Sequence, residues 1–272
     1  MDAMERDYVP PQSIKIDLKE GGFMKRIAFV LLFTALILVC LIDIAISLES
    51  VKLTTEDQKE ISAIYYPPAS DNAPGVILIP DTRCDGSVFV GFASKLNKVG
   101  FAVLAMDLRY KDLIARAGRR EEQIRLLQSQ DTYAPVNYEI KSAIDFLISQ
   151  KEVDQERIAL LGASYGSRVA LHSGVKYKVK GLVLVSLSGK EALPGKAVKE
   201  LLEEYGNRPI LFMTSEKDWG GNYKAAEHNK LYMDWAKGKK ELKVWKGSVH
   251  GIDILDIKEA ADFTIMWLKE NL

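Results

Sequence analysis

Cysteine and histidine are both scarce in this chain, and neither sign of charge is in excess. Two cysteines, Cys40 and Cys84, occur among 272 residues, and Cys40 falls inside an apolar run. A disulfide framework is thereby excluded, and the core must hold itself together by burial. No CxxC pair and no clustered histidines and cysteines supply a metal-ligand spacing, so no metal site is expected. Lysine plus arginine and aspartate plus glutamate each number 37. A balanced chain lacks the basic face that a nucleic-acid partner requires. No internal repeat or low-complexity tract interrupts the sequence.

One long apolar run is present, near the N-terminus. Residues 27–42 are almost uninterruptedly apolar, Lys25 and Arg26 precede them, and Asp43 follows. Extended to Ser47, the stretch is 21 residues, long enough to cross a bilayer at about 1.5 Å per residue. The uncharged part is nearer the length of a signal-peptide core, and Ala45-Ile46-Ser47 offers small residues for a peptidase. The expectation is a signal peptide or signal anchor within residues 1–47 and a folded domain over 48–272. With Lys25 and Arg26 inside, everything after Ser47 is placed outside the membrane, either anchored through residues 27–47 or released by cleavage near Ser47. Val39 before Cys40 is larger than lipidation sites carry, which argues against a lipoprotein. Met24-Lys25-Arg26 resembles the usual beginning of a targeting segment, so Met24 is an alternative start.

Beyond residue 50 short apolar runs alternate with helical stripes. Strands are expected at Ile61–Tyr66, Val76–Ile79, Phe101–Met106, Ile158–Leu161, Leu182–Val185, Ile210–Met213 and Leu242–Trp245. Helices are expected around residues 89–99, from Val136 to Leu147, after Ser164, and over 197–205, 224–235 and 257–268. Residues 110–135 read as a charged, partly helical excursion. Strands that alternate with helices predict an α/β fold, a mostly parallel sheet of about eight strands covered on both faces. In such sheets, sites form at the carboxyl ends of the strands.

Gly162-Ala163-Ser164-Tyr165-Gly166 is a G-x-S-x-G pattern placed between a strand and a helix start. That context is what a nucleophile elbow needs: a sharp turn exposes the serine, and the flanking glycines let strand and helix approach. A serine hydroxyl needs a base. His172 lies eight residues along the helix that follows Ser164, about 12 Å away by helix rise, too far to reach back. His228 is expected on a solvated helix face, among Glu227, Asn229 and Lys230. His250, in Gly247-Ser248-Val249-His250-Gly251 after the last strand, is the candidate base. Asp218 is the candidate acid that orients it, with Glu216 in the same loop as the competing carboxylate. Asp253 and Asp256 are too close in sequence to His250 to be preferred. The backbone N–H of Tyr165 and that of Thr82, in the loop after Val76–Ile79, are the candidate oxyanion donors.

Gly162–Gly166, Ser215–Asp218 and Gly247–Gly251, together with Asp107-Leu108-Arg109, resemble the α/β-hydrolase superfamily. Within it the chain is similar to small capless members near the dienelactone-hydrolase and esterase branches, over about residues 60–272. The resemblance implies a Ser164–Asp218–His250 triad and an acyl-enzyme mechanism on an ester or related acyl bond; a small-molecule ester substrate and no cofactor are expected. Two departures stand out. Many members carry His-Gly where this chain has Pro80-Asp81-Thr82-Arg83, so Asp81 or Arg83 could shape substrate choice there. Dienelactone hydrolases proper use a cysteine nucleophile, and here Ser164 holds that place, Cys84 being read as a packing residue. A peptidase with the same triad and a non-catalytic binding protein on this fold remain the alternatives.

Overall fold

The computed structural model describes residues 48–272, apart from residues 83, 110, 112–115, 128, 194 and 219–223. The apolar segment expected at 27–47 lies outside the described residues, and so does Arg83. Among the described residues no helix is long and apolar enough to cross a membrane.

Among the described residues ten strands form: β1 (Glu49–Thr54), β2 (Glu60–Tyr66), β3 (Ala73–Ile79), β4 (Ala102–Met106), β5 (Val153–Ala163), β6 (Gly181–Val185), β7 (Glu191–Leu193), β8 (Lys196–Ala197), β9 (Ile210–Ser215) and β10 (Lys240–Trp245). Eight of them make one sheet in the order β1-β2-β4-β3-β5-β6-β9-β10. From β4 to β10 every neighbouring pair is parallel, and β2 runs antiparallel to both β1 and β4. The expected eight-stranded, mostly parallel sheet is thus present. The ribbon β7–β8 was not legible from the sequence, because strands this short carry no period.

The helices are α1 (Val90–Lys98), α2 (Arg120–Leu127), α3 (Gln130–Ser149), α4 (Tyr165–Lys176), α5 (Val198–Tyr205), α6 (Ala225–Trp235), the single turn α7 (Asp253–Asp256) and α8 (Lys258–Asn271). The charged excursion resolves into α2 and the beginning of α3, which runs through Pro135 instead of starting after it.

The apolar runs of β4 and β6 are buried at every position. Alternate side chains serve opposite faces. Ile77, Leu104, Leu160, Leu184 and Phe212 enter one core, with Val136, Ile140, Val169 and Leu202 from the helices on that face. Val76, Val103, Leu161, Val183 and Met213 enter the other, with Phe92, Leu96, Trp267 and Leu268. A continuous apolar strand is what two covered faces demand. The edge strand β10 instead carries Lys240, Glu241 and Lys243, which discourage pairing with a further strand.

The strand order reverses beside β3, whose neighbours are β4 and β5. In sheets of this kind the loops at the carboxyl ends diverge at such a reversal, and ligand sites form there. Close by, Arg109 ties the β4 exit to two other elements. It forms a two-pronged pair with Asp57 of the β1–β2 turn, at 2.5 and 3.0 Å, and a hydrogen bond to Glu139 of α3. The guanidinium holds the Asp57 carboxyl well below its usual range. Glu139 is fully buried, and desolvation outweighs the attraction of Arg109, so its carboxyl is pushed up to about 7.

This sets a stability dependence on pH. A carboxyl raised in the folded state binds protons more tightly than in the unfolded chain, so its contribution is full below 4.5 and lost as pH rises to about 7. Glu139→Gln is expected to abolish that loss, worth at most roughly 3 kcal/mol. Urea midpoints of the two proteins, compared across pH 4.5 to 8, should converge at the acid end and separate above pH 7, with the variant the more stable.

Candidate active site

Ser164 occupies the turn between β5 and α4 with φ +53° and ψ −114°. Few residues with a side chain adopt this conformation, and the local packing enforces it. A Cβ on Gly162 would lie 2.1 Å from the Gly166 carbonyl oxygen, and one on Gly166 would lie 2.3 Å from the Ile79 carbonyl oxygen. Only glycine permits either approach, and together they press the start of α4 against the ends of β5 and β3. The Ser164 N–H donates to Val185 O at 2.8 Å, and the Ser167 N–H donates to Ser164 O at 3.0 Å. The serine therefore sits at the amino end of α4, where the helix dipole is positive.

His250 Nε2 lies 2.8 Å from Ser164 Oγ, and His250 Nδ1 lies 2.5 Å from Asp218 Oδ1. A carboxylate can only accept, so Nδ1 carries the proton and Nε2 turns its lone pair to the serine hydroxyl. The other Asp218 oxygen, Oδ2, accepts from Ser186 Oγ at 2.6 Å and from Thr214 Oγ1 at 3.0 Å. Asp218 is 2% exposed, whereas Glu216 is on the surface, so the buried carboxylate is the one that meets His250.

The acid and base loops are also laced together. Ser215 Oγ donates to Val249 O at 2.6 Å, and the Glu216 and Lys217 amides donate to Trp245 O and Gly247 O. Proton transfer between neighbouring groups needs such fixed alignment, because misplaced groups forfeit most of their effect.

The remaining expected residues are placed as follows. Tyr165 is the first residue of α4, so its amide lies in the helix's first turn beside Ser164. Thr82 N–H, the expected second oxyanion donor, donates instead to Asp81 Oδ1 at 2.6 Å. That amide is engaged within its own loop, and an oxyanion would reach it only by replacing the Asp81 carboxylate. His172 lies on α4, its ring pushed down to about 4 by burial. His228 does not project into solvent as expected: Gly189 N–H donates to its Nδ1 at 3.1 Å, and it stacks on Tyr232. Cys84 lines a cleft of about 450 Å³ with Asp81, Ser248, His250, Gly251 and Asp253.

The sequence reading missed Ser186 and Thr214. The available signal was a hydroxyl residue at the end of an otherwise apolar buried strand, where its side chain must find a partner. Among the described residues no group of acidic, histidine and cysteine side chains could hold a metal ion.

A model of the dienelactone hydrolase family matches residues 61–255. Two uncharacterized proteins from strains of Mycobacterium tuberculosis are each 28% identical over 137 residues, which is 50% of this chain and 44% of theirs. The chain thus matches less than half the length of those relatives. Among solved structures, a dienelactone hydrolase from Anabaena variabilis superposes with a TM-score of 0.63 at 14% identity, covering 83% of this chain and 98% of that one. A cold-adapted esterase from an Arctic intertidal metagenomic library gives 0.64 at 17% identity, covering 85% and 96%. At such identities the likeness is one of fold.

The elbow can be tested by packing alone. Gly162→Ala is expected to cost about 3 kcal/mol or more, since the new Cβ meets backbone that cannot move aside. Gly91→Ala, where a Cβ would meet nothing within 4 Å, is expected to be neutral or to stabilise by up to about 1 kcal/mol. Thermal unfolding of both variants reads the contrast.

Proposed function

The chain belongs to the dienelactone hydrolase family, and from that premise we propose that it is a serine hydrolase acting on a carboxylic ester. The observation that carries this reading is the unbroken contact from Ser164 Oγ through the His250 ring to the buried Asp218. Ser164 Oγ attacks the acyl carbon while its proton passes to His250 Nε2. Asp218 stabilises the imidazolium so formed. The proton then goes to the departing alkoxide, which leaves as the alcohol, and an acyl group remains on Ser164. Water attacks this acyl group, its proton passing to Nε2 and from there to Ser164 Oγ as the carboxylic acid departs. The Tyr165 amide at the helix amino end stabilises the tetrahedral oxyanion. Thr82 N–H joins it if the Asp81 carboxylate moves away.

The access route supports a small or medium acyl group. Between β6 and β9 the described residues hold the ribbon β7–β8 and the two-turn helix α5, with no large cap. The cleft that contains His250 is about 450 Å³. The apolar run at residues 27–47, preceded by Lys25 and Arg26, supports a position of this domain outside the membrane, anchored or released. A reporter fused after Ser47 should be active on the outer side of intact cells. Activity confined to the cytoplasm would reject that placement.

Ser164→Ala should remove covalent labelling by a fluorophosphonate and nearly all turnover of p-nitrophenyl esters. His250→Ala should do the same, because members of a triad act as a unit. Asp218→Asn should lower kcat on the order of 10⁴-fold, as loss of the orienting carboxylate does in serine proteases. Glu216→Gln should leave kcat nearly unchanged. Retention of full esterase activity by Ser164→Ala would reject the mechanism, and turnover of peptides in preference to esters would reject the substrate class.

A further inference from the structure

The dipeptide Val185-Ser186, where β6 leaves the sheet, touches two members of the proposed triad and the residue that follows the third. Val185 O accepts the Ser164 N–H at 2.8 Å. Ser186 Oγ donates to Asp218 Oδ2 at 2.6 Å and accepts the Gly251 N–H, one residue past His250, at 2.8 Å. The direction of these bonds follows from chemistry. An amide N–H can only donate, so the hydroxyl proton must lie toward Asp218. One buried oxygen, 2% exposed at the residue level, therefore spans the gap between the acid loop and the base loop.

Its backbone is held for this purpose at some cost. Ser186 has φ +56°, a left-handed conformation that side chains disfavour. Such residues persist where the surroundings over-determine them. Here the Ser186 N–H donates to Met213 O at 2.7 Å. The next three carbonyls are each taken by a side chain: Leu187 O by Asn229 Nδ2 at 2.8 Å, Ser188 O by Arg168 Nη2 at 2.9 Å, and Gly189 O by the Tyr232 hydroxyl. The Gly189 amide closes the clamp on His228 Nδ1. Helices α4 and α6 thus grip the loop from two sides, and the residue they fix in place is Ser186.

We infer that Ser186 is a positioning residue whose hydroxyl fixes the Asp218 carboxylate and the His250–Gly251 backbone relative to one another. With Oδ2 held by Ser186 and Thr214, the carboxylate cannot rotate, and Oδ1 stays directed at His250 Nδ1. The inference rests on the triad reading given above and adds to it the residue that keeps the triad aligned.

Ser186→Gly and Ser186→Ala separate this role from a structural one. Both lack the hydroxyl, but glycine adopts φ +56° freely whereas alanine, like serine, is disfavoured there, so the glycine variant should melt higher than the alanine variant. Activity should not follow stability: both variants should lose kcat about 10- to 100-fold with KM within roughly twofold. Thr214→Val, which removes the longer of the two bonds to Oδ2, should lose less. A readout independent of turnover is the deshielded proton NMR signal of His250 Nδ1–H. It should be present in the wild type and in Ser164→Ala, and broadened or lost in Ser186→Gly. Wild-type kcat or an unchanged Nδ1–H signal in Ser186→Gly would overturn the inference. Absence of ester turnover and of fluorophosphonate labelling in the wild type would instead count against the serine-hydrolase reading, and the NMR comparison would still decide the role of Ser186.

Discussion

The turn at Ser164 is the constraint around which the other parts are arranged. Its φ of +53° is disfavoured for a serine, and nothing in the turn alone would maintain it. It is kept by contact between backbones. Gly162 faces the Gly166 carbonyl, Gly166 faces the Ile79 carbonyl, and the Ser164 amide is held by Val185 O on the neighbouring strand. Three parallel strands, β3, β5 and β6, thus converge on one residue. The apolar packing of those strands, buried on both faces, is the reservoir of stability from which the local strain is met.

From that point the rest of the site is a matter of which loops end at the same edge of the sheet. β5 delivers Ser164, β9 delivers Asp218 and β10 delivers His250, all at carboxyl ends. β6 contributes Ser186 between them. The strand order places β6 between β5 and β9, so a single short side chain there can bridge loops that the sequence separates by dozens of residues. Position in the sheet, more than residue type, makes Ser186 a linking group.

The electrostatics divide into two sectors. In the proposed triad, the Asp218 carboxylate is buried but satisfied by His250, Ser186 and Thr214, which together compensate its lost hydration. At the β4 exit, Glu139 is buried with Arg109 as its charged partner, and desolvation prevails. The second arrangement braces the β1–β2 turn, the β4 exit and α3 against one another.

The sequence by itself determined the fold class and singled out Ser164 as the candidate nucleophile. Apolar runs such as Val76–Ile79 and Leu182–Val185 alternate with helical stripes, and that periodicity is local, so it can be read without coordinates. The G-x-S-x-G pattern is local for the same reason, because the glycines are needed by the turn itself. Histidine scarcity then singled out His250, since helix rise keeps His172 away from Ser164. The tertiary structure decided what depends on direction and on distant partners. Asp218 and Glu216 share one loop, and only the inward turn after β9 decides which carboxylate is buried against His250. Thr82 N–H is engaged because the Asp81 side chain folds back onto it, a rotamer choice that leaves no trace in spacing. His228 meets Gly189, and Arg109 meets Asp57 and Glu139, across gaps in sequence that carry no periodic signal. Ser186 became legible last, because its two partners come from different strands and meet only when the sheet has brought their ends together.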